Sequence, residues 1–567
     1  MKKLQGKPLP LGVTVTDGVI NFSVAVQKGR DCRLLLYKKG REEPSEIFEM
    51  PEIDAVGEVR FLAIAKEEID LAFCEYNYMI GEEIVVDPYV RRLAGRETWN
   101  CIRDVQKHEV RGVLYEDAYD WEEDKTLKLP YHEVVAYSLH IRGFTRHSSS
   151  KVKNKGTFKG LVEKIPYLQE LGINQIHCMP VYEFEECQTY VNYWGYGPGF
   201  YFAPKSSYAS DGNGVTELKD MVKACHKAKI EVILEMPFVQ DLPKQMIEEC
   251  LRYYMMEYHI DGFILNPDIA PMDGIYADPI LKDTKIMKHQ TGFQNVMRRF
   301  LKGDEGTVSE VIYWLRRQSR EEGIYNYIAN HNGFTLNDVV SYDGKHNELN
   351  GENNQDGPEY NYSWNCGAEG PSRKRTVVSL RKGQMRNAFF LVLLAQGLPC
   401  ILAGDEFANT QKGNNNVYCQ DNPVGWLDWT RLEKEKELFT FVKHLIRLRK
   451  EHPVFHQEME LRGMDQISCG IPDVSYHGKY AWQVPSEVSS RQLGVYYCGK
   501  VADDQDYFVA YNMHWLKHTF ALPALSKEKK WYIAATTEEG ILKEPGLLED
   551  QREVVVRERT ITIFTGR

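Results

Sequence analysis

The order of hydrophobic and polar positions changes character twice along the chain. Over roughly the first 125 residues, apolar and polar side chains alternate with a period near two, as in strands that cover one face. Segments 18–26 (GVINFSVAV), 31–39 (DCRLLLYKK) and 58–65 (EVRFLAIA) carry this rhythm, and 75–90 (EYNYMIGEEIVVDPYV) closes the block. From about residue 131 strand-like and helix-like stretches take turns. Strands are predicted over 134–144, 173–181, 231–239, 261–268, 284–287, 325–330 and 399–404, and helices over 158–172, 214–230, 243–260, 383–398 and 437–455. That alternation implies parallel strands with right-handed crossovers. A (β/α)8 TIM-type barrel accommodates it, with seven convincing strands and a weak place between 287 and 325 where the sixth would fall. Alternation returns in 492–499, 506–515, 517–523, 530–537 and 560–566. The expected organisation is a multidomain chain: a β-sandwich over 1–125, the barrel over 126–460 and a second β-sandwich over 461–567.

Composition narrows the function classes. The 567 residues are 43% hydrophobic and 27% charged, which fits a folded globular chain and argues against disorder. A net charge of −11 weighs against nucleic acid as a partner. No run approaches the ~18 apolar residues of a membrane span, and the basic start MKKLQGKPLPLGVTV lacks the apolar stretch of an export signal. The 12 cysteines are scattered without a C-x-x-C pair. A cytoplasmic location, no metal and no cofactor are therefore expected.

Working residues of such a barrel sit at the carboxyl ends of its strands. The strings found there are HIRGFT (140–145), MPVYEF (179–184), NYWGYGPGFYFAP (192–204), the long stretch from NHNGF (330–371) and AGDEFANTQKGNNNVYCQDNPVGWLDW (403–429). With DPYVRRL (87–93), DVSYHG (473–478) and VAYNMHW (509–515), they give a chain that closely resembles, over nearly its whole length, the bacterial glycogen debranching enzymes of the isoamylase type in glycoside hydrolase family 13. The resemblance implies a carbohydrate-binding module in front of the barrel. It also implies an activity that cleaves α-1,6 branch points of glycogen or limit dextrins with retention of configuration and without metal.

A retaining glycosidase needs two carboxyl groups about 5–5.5 Å apart, one as nucleophile and one as proton donor. Where the family carries its nucleophile the chain reads GFILN, with Ile264 and Asn266 at the positions of the family's Arg and Asp. The family's third carboxylate falls in NHNGF at Asn332, after a retained His331. The family's acid falls at His289 within 278–293, or at Lys288 with a slip of one, and a match at Asp278 is the poorer alternative. The third-strand motif reads ILEMPFVQ, with Glu235, Val239 and Gln240 at the family's Asp, Asn and His positions. The resemblance thus implies no catalytic residues, with Asn266, His289 and Asn332 as vestigial positions. The sugar contacts that it implies are Trp194, Tyr196 as a stacking platform, His331, Asn332, Asn266 and Trp364. The expected protein is a non-catalytic α-glucan-binding homologue, with glycogen or a limit dextrin as ligand and an active glycogen enzyme as a candidate protein partner. Two alternatives stand beside it: a hydrolase working through unusual residues such as Glu235, Asp268 or Asp278, and a structural partner of a debranching enzyme with no affinity for sugar.

Overall fold

The computed structural model describes residues 1–104, 107–318, 320 and 323–567. Its centre is a barrel of parallel strands: β1 (Ala136–Leu139), β2 (Gln175–Cys178), β3 (Glu231–Glu235), β4 (Gly262–Ile264), β5 (Lys285–Met287), β6 (Tyr325–Asn326) and β7 (Leu398–Leu402). They are hydrogen-bonded in the order β5-β4-β3-β2-β1-β7-β6. All residues of β2, β3, β4, β5 and β7 are buried. Continuous burial is what a parallel strand meets when helices cover one face and the barrel interior the other.

Among the described residues the barrel has seven strands rather than eight. The end strands β5 and β6 meet through one parallel bridge between Lys288 and Ile324. There the Lys288 N–H donates to the Gly323 carbonyl at 3.1 Å. Between β5 and β6 the described residues form two helices, α1 (Thr291–Lys302) and α2 (Val308–Arg316), and no strand. Their connection, 303–307, reads GDEGT, too short and too polar to make a buried strand. The helices instead pack on each other through Phe293 and Trp314, whose rings lie 6.1 Å apart edge to face.

Period-two alternation sets which strand residues point inward. Ile233, Ile264, Met287, Tyr325 and Tyr327 join one cluster inside the barrel. Two residues beyond the first three come Glu235, Asn266 and His289. The strand geometry therefore carries a carboxylate, an amide and an imidazole to the same mouth.

Antiparallel sheets flank the barrel on both sides in sequence. Before it, a four-stranded sheet packs on a six-stranded one, with Phe22 and Leu62 against Leu34, Tyr76 and Tyr78. After it, a six-stranded sheet and a two-stranded one enclose Phe508, Trp531, Phe564, Phe520 and Val556. Among the described residues no helix is long and apolar enough to cross a membrane.

The seam tests the closure directly. Gly323 has φ +58, and a Cβ there would lie 1.9 Å from the Ile286 carbonyl oxygen. Gly323→Ala is expected to cost ~1–3 kcal/mol from the backbone conformation alone, with the overlap added. Urea unfolding measures it, and an unchanged midpoint would mean that the seam is not closed this way.

Candidate active site

A cavity of about 360 Å³ opens at the carboxyl ends of β3, β4 and β5, and Tyr196, Glu235, Asn266, His289, His331 and Asn332 share its wall. A larger one, about 610 Å³, lies at the opposite end of the barrel beside Glu231 and Lys285. That end of such barrels serves stability, and Lys285 and Glu231 are occupied with each other as a buried ion pair. The smaller cavity is the one placed for chemistry.

Tyr196 reaches the cavity because its loop is locked. Gly195 has φ +85, and a Cβ there would lie 2.3 Å from the Phe184 ring, so only glycine fits. The Asn192 side chain accepts from the Gly195 N–H at 3.0 Å and donates to the Tyr196 carbonyl at 2.9 Å.

The polar groups then form one chain of hydrogen bonds centred on Glu235. The Tyr196 hydroxyl donates to Glu235 Oε1 at 2.5 Å. His289 Nε2 lies 3.1 Å from the same oxygen. His331 Nε2 lies 2.6 Å from the Tyr196 oxygen. The Tyr325 hydroxyl lies 2.7 Å and the Asn330 amide 3.4 Å from His289 Nδ1. A carboxylate oxygen can only accept, so the His289 Nε2–H donates to Glu235. Because Tyr196 gives its one proton to Glu235, its oxygen accepts from His331, whose proton also sits on Nε2.

Burial pushes the Glu235 carboxyl up, but its electrostatic interactions with His331 and His289 and the hydrogen bonds from His289 and Tyr196 outweigh it, holding it down at about 2. Burial pushes His331 the other way for a base, down to about 4, with Glu235 opposing. At neutral pH the cavity therefore holds an ionised Glu235 and a neutral His331. Glu235 is the sole carboxylate among the described lining residues, and no Lys or Arg lines the cavity. Among the described residues no group of three or more His, Cys, Asp or Glu is arranged to hold a metal ion.

The structure brings seven of the residues singled out in the sequence together here: Tyr196, Glu235, Ile264, Asn266, His289, His331 and Asn332. Two others lie elsewhere. Trp194 is only 5% exposed and sits behind the wall, 5.1 Å from the His331 ring and 5.7 Å from that of Tyr196. It supports the lining rather than forming it. Trp364 is not part of the wall, since Arg559 from the chain's last strands covers its ring at 4.9 Å. Asp268 and Asp278 are absent from the wall as well. The Asp268 N–H donates to the Asn266 side chain at 3.0 Å, and Asp278 caps the backbone of Ile280 and Leu281 and pairs with Arg252. Tyr325, Tyr327 and Asn330 were not singled out. The alternation in YNYIAN (325–330) is the signal that places both tyrosines on the inner face.

The depressed Glu235 carboxyl has a testable sign. Its folded value of about 2 lies below the ordinary 4.5, so its stabilisation is complete above the ordinary value and is lost as pH falls toward 2. Glu235→Gln is expected to lower the unfolding free energy by about 1–3 kcal/mol at neutral pH. That gap should stay constant down to about pH 5 and close below it. Urea titrations of both proteins at several pH values measure the gap, and one that widens on acidification would contradict the assignment.

Comparison with known proteins agrees with this architecture. Residues 143–239 match the family described as alpha amylase, catalytic domain. Isoamylase 1, chloroplastic, of Arabidopsis thaliana is 30% identical over 589 residues, covering 79% of this chain and 75% of that protein. The glycogen operon protein GlgX homolog of Haemophilus influenzae is 30% identical, covering 79% of this chain and 84% of that one. Among solved structures, pullulanase type I from Bacillus subtilis superposes with a TM-score of 0.75 at 20% identity, over 98% of this chain and 85% of the other, a likeness of fold. With such identity carried across a barrel and its flanking sheets, the chain belongs to the isoamylase and glycogen-debranching family of α-amylase-type glycoside hydrolases.

Proposed function

We propose that this family member binds α-glucan chains at the Glu235 cavity without hydrolysing them. The observation that carries the reading is the single carboxylate in the wall. Retaining hydrolysis needs two carboxyl groups about 5–5.5 Å apart and inverting hydrolysis two at about 6.5–9.5 Å. Glu235 has no such companion there, and its Oε1 is already committed to Tyr196 and His289. A general acid must also hold a proton near working pH, whereas Glu235 is held at about 2. Asn266 and Asn332, which by resemblance stand where the family carries carboxylates, are exposed on the wall. Amides there still donate to and accept from sugar hydroxyls. The ligand class is inferred from the family and from solved pullulanases of this fold, one complexed with maltose and another with maltohexaose and alpha-cyclodextrin.

A native gel cast with amylopectin and stained with iodine tests the reading. Slowed migration with an unchanged stain is expected, and Tyr196→Ala should weaken the retardation about tenfold or more in apparent affinity, as loss of a stacking and hydrogen-bonding wall residue does. A zone of altered stain that tracks the protein would mean hydrolysis. Migration equal to that in a sugar-free gel would leave the structural-partner alternative.

A further inference from the structure

We propose that Cys469 and Cys498, in the sheet that follows the barrel, are an oxidisable thiol pair, which a small-molecule disulfide such as oxidised glutathione converts into a Cys469–Cys498 bond. The proposal is independent of how the Glu235 cavity is read. No short cysteine motif marks the pair in the sequence, and the fold is what brings the two together. Strands Val474–His477 and Gln492–Tyr497 run antiparallel, with Val474 opposite Tyr497. One step further along the ladder, the Cys498 N–H donates to the Asp473 carbonyl at 3.0 Å. The segment before Asp473 turns back over this end of the two strands. The Asp473 carboxylate accepts from the N–H groups of Arg462, Gly463 and Met464 at 2.9, 2.8 and 3.2 Å. The Asp465 carboxylate accepts from those of Cys469 and Gly470 at 2.9 and 2.7 Å. The loop held in this way lays Cys469 and Ile471 on the apolar cluster that contains Tyr496, Cys498, Phe508 and Trp531. There the Cys498 thiol is hydrogen-bonded to the Cys469 thiol.

The two thiols differ in access, and that sets their order of reaction. Cys469 is half-buried, whereas Cys498 is 2% exposed. A reagent therefore meets Cys469 first. The Cys469 thiolate attacks one sulfur of oxidised glutathione. The glutathione S–S bond breaks, a mixed disulfide forms on Cys469, and one glutathione thiolate leaves and takes up a proton. Cys498, giving up its own proton, then attacks the Cys469 sulfur and expels the second glutathione thiolate, which is protonated in turn. Two protein thiols are oxidised and one glutathione disulfide is reduced to two glutathione thiols. Burial pushes the Cys498 thiol up, which makes it a poor partner for reagents in bulk solvent. Its attack is confined to the sulfur beside it. Cys178 and Cys225, a second pair whose thiols interact, are both 0% exposed inside the barrel wall and remain out of reach.

Peptide mapping of the full chain tests the pair. The protein is reduced with dithiothreitol, desalted, incubated natively with millimolar oxidised glutathione, alkylated and digested with trypsin without reduction. Trypsin releases Cys469 in peptide 463–479 and Cys498 in peptide 492–500, and neither holds another cysteine. Mass spectrometry is expected to find the two peptides joined, at the sum of their masses less about 2 Da for the two hydrogens lost, and to lose that species on reduction. In Cys498→Ser the reaction should stop halfway, with one glutathione on peptide 463–479. In Cys469→Ser peptide 492–500 should carry neither a link nor glutathione. Three results would overturn the inference: glutathione on Cys469 without joining in the unsubstituted protein, both peptides recovered fully alkylated, or Cys498 taking up glutathione in Cys469→Ser as readily as Cys469 does in Cys498→Ser.

Discussion

One carboxylate oxygen, Glu235 Oε1, ties the barrel mouth together. It receives the hydroxyl of Tyr196 from the loop after β2 and Nε2 of His289 from the end of β5, and through Tyr196 it reaches His331 beyond β6. Tyr325, on β6 itself, anchors the far side of His289. Segments far apart in sequence therefore take their relative positions from one acceptor. The charge is held in place by the same contacts, because each donor offsets the cost of burying it. Such a network stabilises the wall and also removes the carboxylate's freedom to exchange protons. On the proposed reading, what makes the mouth rigid also makes it a poor general acid.

The seam between β5 and β6 shapes the same region. With α1 and α2 joined by a five-residue polar link, 303–307, no strand stands between β5 and β6 among the described residues. Closure falls to the Lys288–Ile324 bridge. His289 follows Lys288 directly, so the residue that donates to Glu235 is positioned by the contact that joins the two ends of the sheet. The missing strand and the unusual polar cluster are adjacent features of one segment.

Much of this was legible in the sequence, for particular reasons. The barrel strands run as apolar stretches between amphipathic helices, and their buried cores fall inside the predicted segments. Asn266, His289 and Asn332 could be brought to one mouth because each follows a strand end and a recognisable string. The centre of the network was harder to see. Glu235 acquires its meaning from Tyr196, His289 and His331, which no local pattern connects to it. The aromatic residues were the least readable. Trp194 and Trp364 have the flat apolar surface that a sugar wants, but that surface serves equally as packing. Trp194 is buried behind His331, and the half-buried Trp364 lies under Arg559, a residue from near the end of the chain. Which face of a ring is free depends on distant partners, and composition does not record them.

The central claim is that this cavity engages an α-glucan and leaves every glycosidic bond intact. The most direct test is to incubate a branched α-limit dextrin with an equimolar amount of protein in ¹⁸O-labelled water and to examine the sugars by mass spectrometry. Hydrolysis at any branch point places ¹⁸O at the new reducing end, so even one turnover per molecule is visible. The account predicts no label above that in a protein-free control and no shortening of the dextrin. Label accumulating to one equivalent or more, and abolished in Glu235→Gln, would contradict it and assign bond cleavage to the single carboxylate of this site.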